Sequence, residues 1–283
     1  MIDAKTLEKY YDLHIVDWNY PALHKRIVDW VKDWFNKNGP NSPAVIGISG
    51  GKDSTICAAI LAEALGPERV IGVQMPNGEQ SDIEDSDRVF EITGIRKVTV
   101  NIESAYKDLT GSISVNFMDD VAKGKMPDAI PALYSTNTPA RIRMVTLYGI
   151  AALVGGRVVN TCNASEDYIG YSTKWGDSVG DFSLLCNLTV SDVRKLGKEL
   201  GLPQTLVCKA PGDGMCGKTD EDNLGFTYDF LDAVILGQIS DGNQIFEDYP
   251  ELKEAYAKIM KMHNNPNTAA KLVFDDENAF SPL

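Results

Sequence analysis

An apolar run, Ala44–Ile48, breaks at Ser49-Gly50-Gly51 and gives way at once to a row of small and aliphatic residues, Ile56–Leu65. This order, AVIGISGGKDSTICAAILAEAL, constrains the fold more than any other stretch. A buried strand runs through a tight glycine turn into a buried helix, the repeating unit of sheets that carry helices on their faces. Glycines let the backbone approach a ligand, and the start of a helix adds exposed N–H groups and a favourable dipole, so the unit binds phosphate. It is not a Walker A loop, because Gly51-Lys52 is followed by Asp53 where that motif needs Ser or Thr. It is not G-x-G-x-x-G either. A carboxylate inside the cradle, with hydroxyls from Ser49, Ser54 and Thr55 around it, repels bare phosphate and fits Mg2+ bridging phosphates. The plain structural alternative is a capped helix, with Asp53 or Ser54 as N-cap.

The remainder of the chain repeats the alternation. Apolar spacing predicts helices over 21–38, Ser54–Leu65, Ser81–Thr93, Pro139–Val154 and Thr189–Leu200, and strands over Ala44–Ile48, Arg69–Met75, Lys97–Ile102 and Val158–Cys162. A less regular segment with two prolines precedes Pro139, and 163–187 reads as a Gly- and Ser-rich loop. A further loop is predicted over 211–219, then helix through 219–236 and a final helix near 246–263. Strands alternating with helices predict an α/β fold: three layers, doubly wound, with a mainly parallel sheet and extra N- and C-terminal helices. In such sheets ligands sit beyond the carboxyl ends of the strands, which is where GISGGKDST falls. The chain is read as a single domain, with a core over 20–265 and terminal extensions at 1–19 and 266–283.

Composition narrows the partners. The 283 residues carry a formal charge of -13, the wrong sign for a nucleic-acid binder, which must neutralise phosphates with clustered Lys and Arg. Five cysteines, at 57, 162, 186, 208 and 216, form no C-x-x-C pair and read as reduced thiols. The start, MIDAKTLEKYYDLHIVDW, has no apolar targeting core, and no stretch approaches a membrane span. The expectation is a cytoplasmic protein with no nucleic-acid or membrane partner.

The SGG-x-DS spelling resembles the loop of the ATP pyrophosphatase family, whose members cleave ATP between the α- and β-phosphates. Three further stretches, NTPARIRMVTLYGIAA (137–152), NTCNASEDYIGYSTKWGDSVGD (160–181) and KAPGDGMCGKTDEDNLGFTYDFLD (209–232), are similar to the ammonia-dependent NAD synthetases, and the likeness runs in order over roughly 20–265. It implies an adenine nucleotide alpha hydrolase-like fold and a ligase. The nicotinate carboxylate of deamido-NAD attacks the α-phosphorus of ATP, pyrophosphate leaves, and ammonia displaces AMP to give NAD. By the same resemblance Gly47, Ser49, Gly50, Gly51, Lys52, Asp53, Ser54 and Thr161 bind ATP. Asp53 and Glu166 are the catalytic pair and hold Mg2+, and Arg141, Lys174, Asp181 and His263 contact deamido-NAD. Each has an ordinary reading beside it: Arg141 as a surface residue of an amphipathic helix, Glu166 as a solvated loop acid, His263 as a surface residue of a terminal helix. Tyr168, Tyr171 and Trp175 either stack on a ligand ring or pack a loop down.

The resemblance also implies a homodimer with deamido-NAD near the subunit interface. The apolar faces of Leu23–Phe35 and Ile142–Val154 suit an interface and suit burial within one subunit equally well. The carboxylate of the substrate is the nucleophile, so the cysteines are expected to be dispensable, and loops 163–187 and 205–219 are expected to order over the substrates. The chain has no room for an amidase domain, so ammonia comes free or from a separate glutaminase.

Three positions depart from the family pattern: Val190 where a lysine contacts ATP, Gly212 where a hydroxyl does, and Asn264 in place of the lysine after His263. They keep a competing reading in view, a non-catalytic or altered-substrate nucleotide-binding paralogue. GMP synthetase and tRNA-modifying relatives fit less well, the first lacking its residues after the fourth strand and the second its basic surface.

Overall fold

The computed structural model describes residues 7, 18–80, 83–125, 132–208, 219–266 and 274–282. Along the chain run α1 (Tyr20–Asn38), β1 (Ala44–Gly47), α2 (Lys52–Leu65), β2 (Val70–Gln74), α3 (Ile83–Thr93), β3 (Arg96–Thr99), α4 (Glu103–Ala122) and α5 (Ala132–Val154). There follow β4 (Arg157–Asn160), α6 (Ala164–Ile169), β5 (Phe182–Ser183), α7 (Val190–Glu199) and α8 (Gln204–Val207). The last described helices are α9 (Asp220–Leu224), α10 (Tyr228–Ile235), α11 (Ile245–Asp248) and α12 (Glu251–His263).

The strands form one sheet in the order β3-β2-β1-β4-β5, and every pair is parallel. The chain fills one side of β1 with β2 and β3 and then crosses to the other with β4 and β5. The direction of winding therefore reverses between β1 and β4, and the loops leaving these two strands part to open a crevice. Alternation along the strands gives each face its own layer. Ala44, Ile46, Val70 and Val159 pack with Ile27, Val31, Trp34, Phe35, Ile56 and Leu61 of α1 and α2. Val45, Ile71, Val73 and Val158 pack with Met144, Leu147 and Ala151 of α5. A third cluster, around Tyr228, Phe230 and Leu231, joins the C-terminal helices to Ile169 and Val190. Among the described residues no helix is long and apolar enough to cross a membrane.

The predicted α/β architecture is the observed one, with several elements corrected. Helix α4 was read as irregular. Its sequence carries Gly111 and β-branched Ile113 and Val115 without an apolar stripe, and none of its residues is buried, so periodicity had nothing to report. Helix α5 starts at Ala132 and carries Pro139 within it, where the sequence places Pro139 at the first turn. The predicted loop 163–187 contains α6 and β5. The helix expected over 219–236 is two, parted at Gly225, whose φ of 77° suits a residue without Cβ. The final helix is parted at Tyr249-Pro250. The apolar face of Leu23–Phe35 is buried within the chain, so it is core and not interface. The loop expected over 211–219 lies outside the described residues, apart from Thr219.

Candidate active site at the sheet switch point

The turn after β1 is built to keep a surface of backbone N–H groups open. Gly50 has a φ of 81°, and a Cβ there would lie 2.7 Å from the Ser86 nitrogen, so only glycine fits. Ser49 Oγ lies 3.0 Å from Ser54 Oγ and accepts from Gly51 N at 3.1 Å, while Thr55 Oγ1 donates to Gly51 O at 2.7 Å. Gly51 is the N-cap of α2, and no side chain caps the helix. The hydroxyls thus shape the loop and leave the first turn of α2 to a ligand. The capped-helix reading of Asp53 and Ser54 does not apply. Gly47 ends β1, where a Cβ would press on Met75 at 3.3 Å.

Charge concentrates beside this turn. Lys52 is 3% exposed, with Nζ 2.8 Å from Asp53 Oδ2, 4.0 Å from Glu166 Oε1 and 5.8 Å from the centre of the Tyr228 ring. Burial works against the ammonium, but the two carboxylates outweigh it and raise its pKa. Asp53 Oδ1 accepts from Asn163 Nδ2 at 3.1 Å, which ties the loop after β1 to the loop after β4. Asn163 is also the N-cap of α6 in a capping box with Glu166. Burial, then the charge of Asp53, push Glu166 up to about 8 despite the neighbouring Lys52. Once both are ionised, two carboxylates face one ammonium, and the site is then short of positive charge. Mg2+ commonly takes one or two protein carboxylates and completes its shell with phosphate oxygens and water, a donor set that Asp53 and Glu166 supply. Thr161 follows β4 at the same edge, half-buried.

A second group lines α5. Arg141 Nε donates to the Lys174 carbonyl at 3.2 Å, and the Lys174 ammonium sits 5.9 Å from the ring centre of Trp175. Trp175 has a φ of 64° and is 61% exposed. A bulky residue held in the left-handed region costs of order 1–3 kcal/mol. It presents its ring to solvent, so it does not pack its loop down. Two turns along α5, Tyr148 OH donates to Asp181 Oδ1 at 3.3 Å, and Asp181 Oδ2 accepts from Val158 N at 2.7 Å. Tyr148 and Asp181 border an open surface cavity of 360 Å³ beside the start of β4, lined also by Ala151, Ala152, Gly155, Gly156 and Arg157. The structure therefore joins Arg141 to Lys174 and sets Asp181 farther along the same helix. His263 stacks on Tyr168 at 4.0 Å and 16°, its Nδ1 2.9 Å from the Tyr168 carbonyl. It braces α12 against α6.

Sequence reasoning missed Asn163 and Asp177. Asn163-x-x-Glu166 after a strand is a capping-box signal that was available. Asp177, exposed on a turn, accepts from Thr173 N at 2.9 Å. No spacing rule marks it. Burial pushes the Cys57 and Cys162 thiols well up, which disfavours the thiolate a nucleophile needs. Of the departures, Val190 is fully buried in the C-terminal cluster and Asn264 donates to the Met260 carbonyl at 2.8 Å. Gly212 lies outside the described residues.

A 3-2-1-4-5 parallel sheet, with a glycine turn and an acidic pair at the reversal between β1 and β4, defines an adenine nucleotide alpha hydrolase-like protein. A family model described as NAD synthase matches residues 23–268, and the chain belongs to that family. It is 36% identical over 218 residues to the NH3-dependent NAD+ synthetase of Pyrococcus furiosus, covering 77% of this chain and 78% of that one. Among solved structures it is similar to NMN synthetase from Francisella tularensis, with a TM-score of 0.75 and 30% identity over 92% of this chain and 99% of that one. The NH3-dependent NAD synthetase of Campylobacter jejuni shares the fold, with a TM-score of 0.66 and 22% identity over 88% and 98% of the two chains.

Proposed function

We propose that the chain joins ammonia to the nicotinate carboxylate of deamido-NAD at the expense of ATP, giving NAD, AMP and pyrophosphate. The observation that carries this is the convergence of the open turn at Gly50-Gly51 with Asp53, Asn163 and Glu166 at the switch point, in a chain whose relatives include NH3-dependent NAD+ synthetases. The N–H groups of the turn and of α2 hold the β- and γ-phosphates. Asp53 and Glu166 hold Mg2+, which when bound offsets the charge on the departing pyrophosphate. Arg141 and Lys174 align the acid so that its carboxylate faces the α-phosphorus. One carboxylate oxygen bonds to that phosphorus as pyrophosphate leaves, and ammonia then attacks the acyl carbon and expels AMP. No protein nucleophile takes part.

Two turns of helix, about 10 Å, separate Arg141 from Tyr148 and the Asp181 cavity. That length favours an acid with a second nucleotide half over one ending at its own phosphate. The Francisella relative is described as an NMN synthetase, so nicotinate mononucleotide is the comparator. With ATP and ammonium saturating, kcat/KM for deamido-NAD is expected to exceed that for the mononucleotide acid, and Tyr148→Ala is expected to narrow the gap. A preference for the mononucleotide would overturn the dinucleotide assignment.

Glu166 gives a pH dependence whose sign follows from its raised pKa. Near neutral pH it holds a proton that the metal must displace, so apparent Mg2+ affinity rises with pH up to about 8 and flattens above. Calorimetric titration of Mg2+ into protein with a non-hydrolysable ATP analogue, in two buffers of different ionisation enthalpy at pH 7, is expected to show release of about one proton. No release would contradict the assignment of Glu166.

A homodimer through α4 and α5 is part of this reading. Val145 (73% exposed), Leu153 (85%), Val115 (68%) and Met118 (64%) stand in water on these helices, an apolar surface of the kind that marks an interface. Sedimentation is expected to give a dimer for the native chain and a monomer for Val145→Glu/Leu153→Glu. The reading further treats the chain as one cytoplasmic domain, supported by the free thiols of Cys57, Cys162, Cys186 and Cys208 and by the C-terminal segment, where Ala279 bridges to Ser183 of β5. Ammonia is taken from solution or from a separate glutaminase.

A further inference from the structure

Among the described residues, the most deeply buried carboxylate has no part in the mechanism above. Asp232 of α10 is 4% exposed and accepts three hydrogen bonds: Ser165 Oγ at 2.5 Å, Ser191 Oγ at 2.6 Å and Ser191 N at 2.9 Å. Ser165 Oγ in turn accepts from Val190 N at 2.9 Å. Ser165 lies in the first turn of α6 and Ser191 in the first turn of α7, so three helices meet on one carboxylate. Its charge faces the N-terminus of α7, the favourable end of that helix dipole.

Helix α6 has six residues and is too short to hold its own position. It also carries Glu166. Just before the helix Asn163 ties it to Asp53 at 3.1 Å, and within its first turn Ser165 ties it to Asp232. Both anchors precede Glu166 in the chain, Ser165 immediately, and both end on aspartates. A buried carboxylate costs stability even when hydrogen-bonded, so this arrangement calls for a role beyond packing.

We propose that Asp232, acting through Ser165, is a positioning residue that sets Glu166 at the distance from Asp53 required to hold the nucleotide-bound cation. The proposal rests on the reading of Glu166 as a Mg2+ ligand. It separates Ser165 from Ser191: both bond to the same carboxylate, but only Ser165 belongs to the helix that bears Glu166.

The test is the affinity for Mg2+ in the presence of a non-hydrolysable ATP analogue, which does not depend on turnover. Ser165→Ala is expected to weaken Mg2+ about tenfold, in the range seen when residues supporting a metal ligand are removed, and Ser191→Ala by less than about twofold because the Ser191 N–H bond to Asp232 remains. In a Glu166→Gln background, Ser165→Ala is expected to have no further effect. Should Ser165→Ala fail to fold, Asp232→Asn serves in its place, with weakened Mg2+ binding that again disappears in the Glu166→Gln background. Equal losses in both serine variants, an undiminished effect in the Glu166→Gln background, or unchanged Mg2+ binding would each overturn the proposal. If the native protein binds no Mg2+ with the analogue, the reading of Glu166 itself fails, and this inference with it.

Discussion

Asp53→Asn is expected to lower kcat by about 10²–10³-fold, the range for losing one preorganised charge-stabilising group, while the protein stays folded. Asn keeps the shape of the side chain and an acceptor for Asn163 Nδ2, so the bond between the two loops at 3.1 Å survives. What is lost is one of two carboxylates on a cation site, the one that pairs with buried Lys52 at 2.8 Å. The same change removes the repulsion that helps hold Glu166 up near 8, so that the Glu166 pKa falls. The pH at which Mg2+ binding levels off should fall with it, a shift that a non-specific loss of structure would not produce. A kcat within threefold of the native value would remove Asp53 from the mechanism.

Phe182→Ala is expected to destabilise the fold by about 3–5 kcal/mol, as for other buried Phe-to-Ala changes, and to weaken substrate binding as well. Phe182 is fully buried at the centre of an aromatic cluster. It stacks on Trp34 at 4.2 Å and meets Phe35 edge-on at 5.4 Å, with Trp30 at 6.2 Å. Because β5 has only Phe182 and Ser183, this side chain is the main apolar anchor of the strand. The next residue back is Asp181, whose carboxylate accepts from Val158 N at 2.7 Å. Loosening β5 therefore moves a proposed substrate contact. Urea unfolding should show the lower midpoint, and the KM for deamido-NAD should rise more than the KM for ATP. Equal changes in the two KM values would argue that β5 does not place Asp181 for the substrate.

The layers of the fold were legible because they rest on period. Ala44–Ile48, Arg69–Met75 and Val158–Cys162 carry apolar runs without alternation, as parallel strands buried on both faces do, and they appear within a residue or two of their observed ends. Helix α4 was invisible for the opposite reason: nothing in it is buried, so no stripe exists to be read. Strand β5 has two residues, below the length at which alternation means anything. The phosphate turn was legible because glycine at a φ of 81° and a carboxylate in the first turn leave a local signature. Asn163 was within reach as a cap. Asp232 was not, because its partners lie in other segments, on α6 and α7, and burial gives it its character. Val190 shows a further limit. Where the resemblance implies a lysine, this chain places a side chain buried with Tyr228 and Leu224, and only the packing reveals that burial.

The central claim is that the carboxylate of the substrate bonds to the α-phosphorus before ammonia enters. Deamido-NAD carrying ¹⁸O in its nicotinate carboxylate tests this in one turnover with ATP, Mg2+ and ammonium. The account predicts one labelled oxygen in the phosphate of AMP, none in pyrophosphate, and NAD formed in equal amount. Label retained in water or transferred to pyrophosphate, or AMP formed without label, would contradict it.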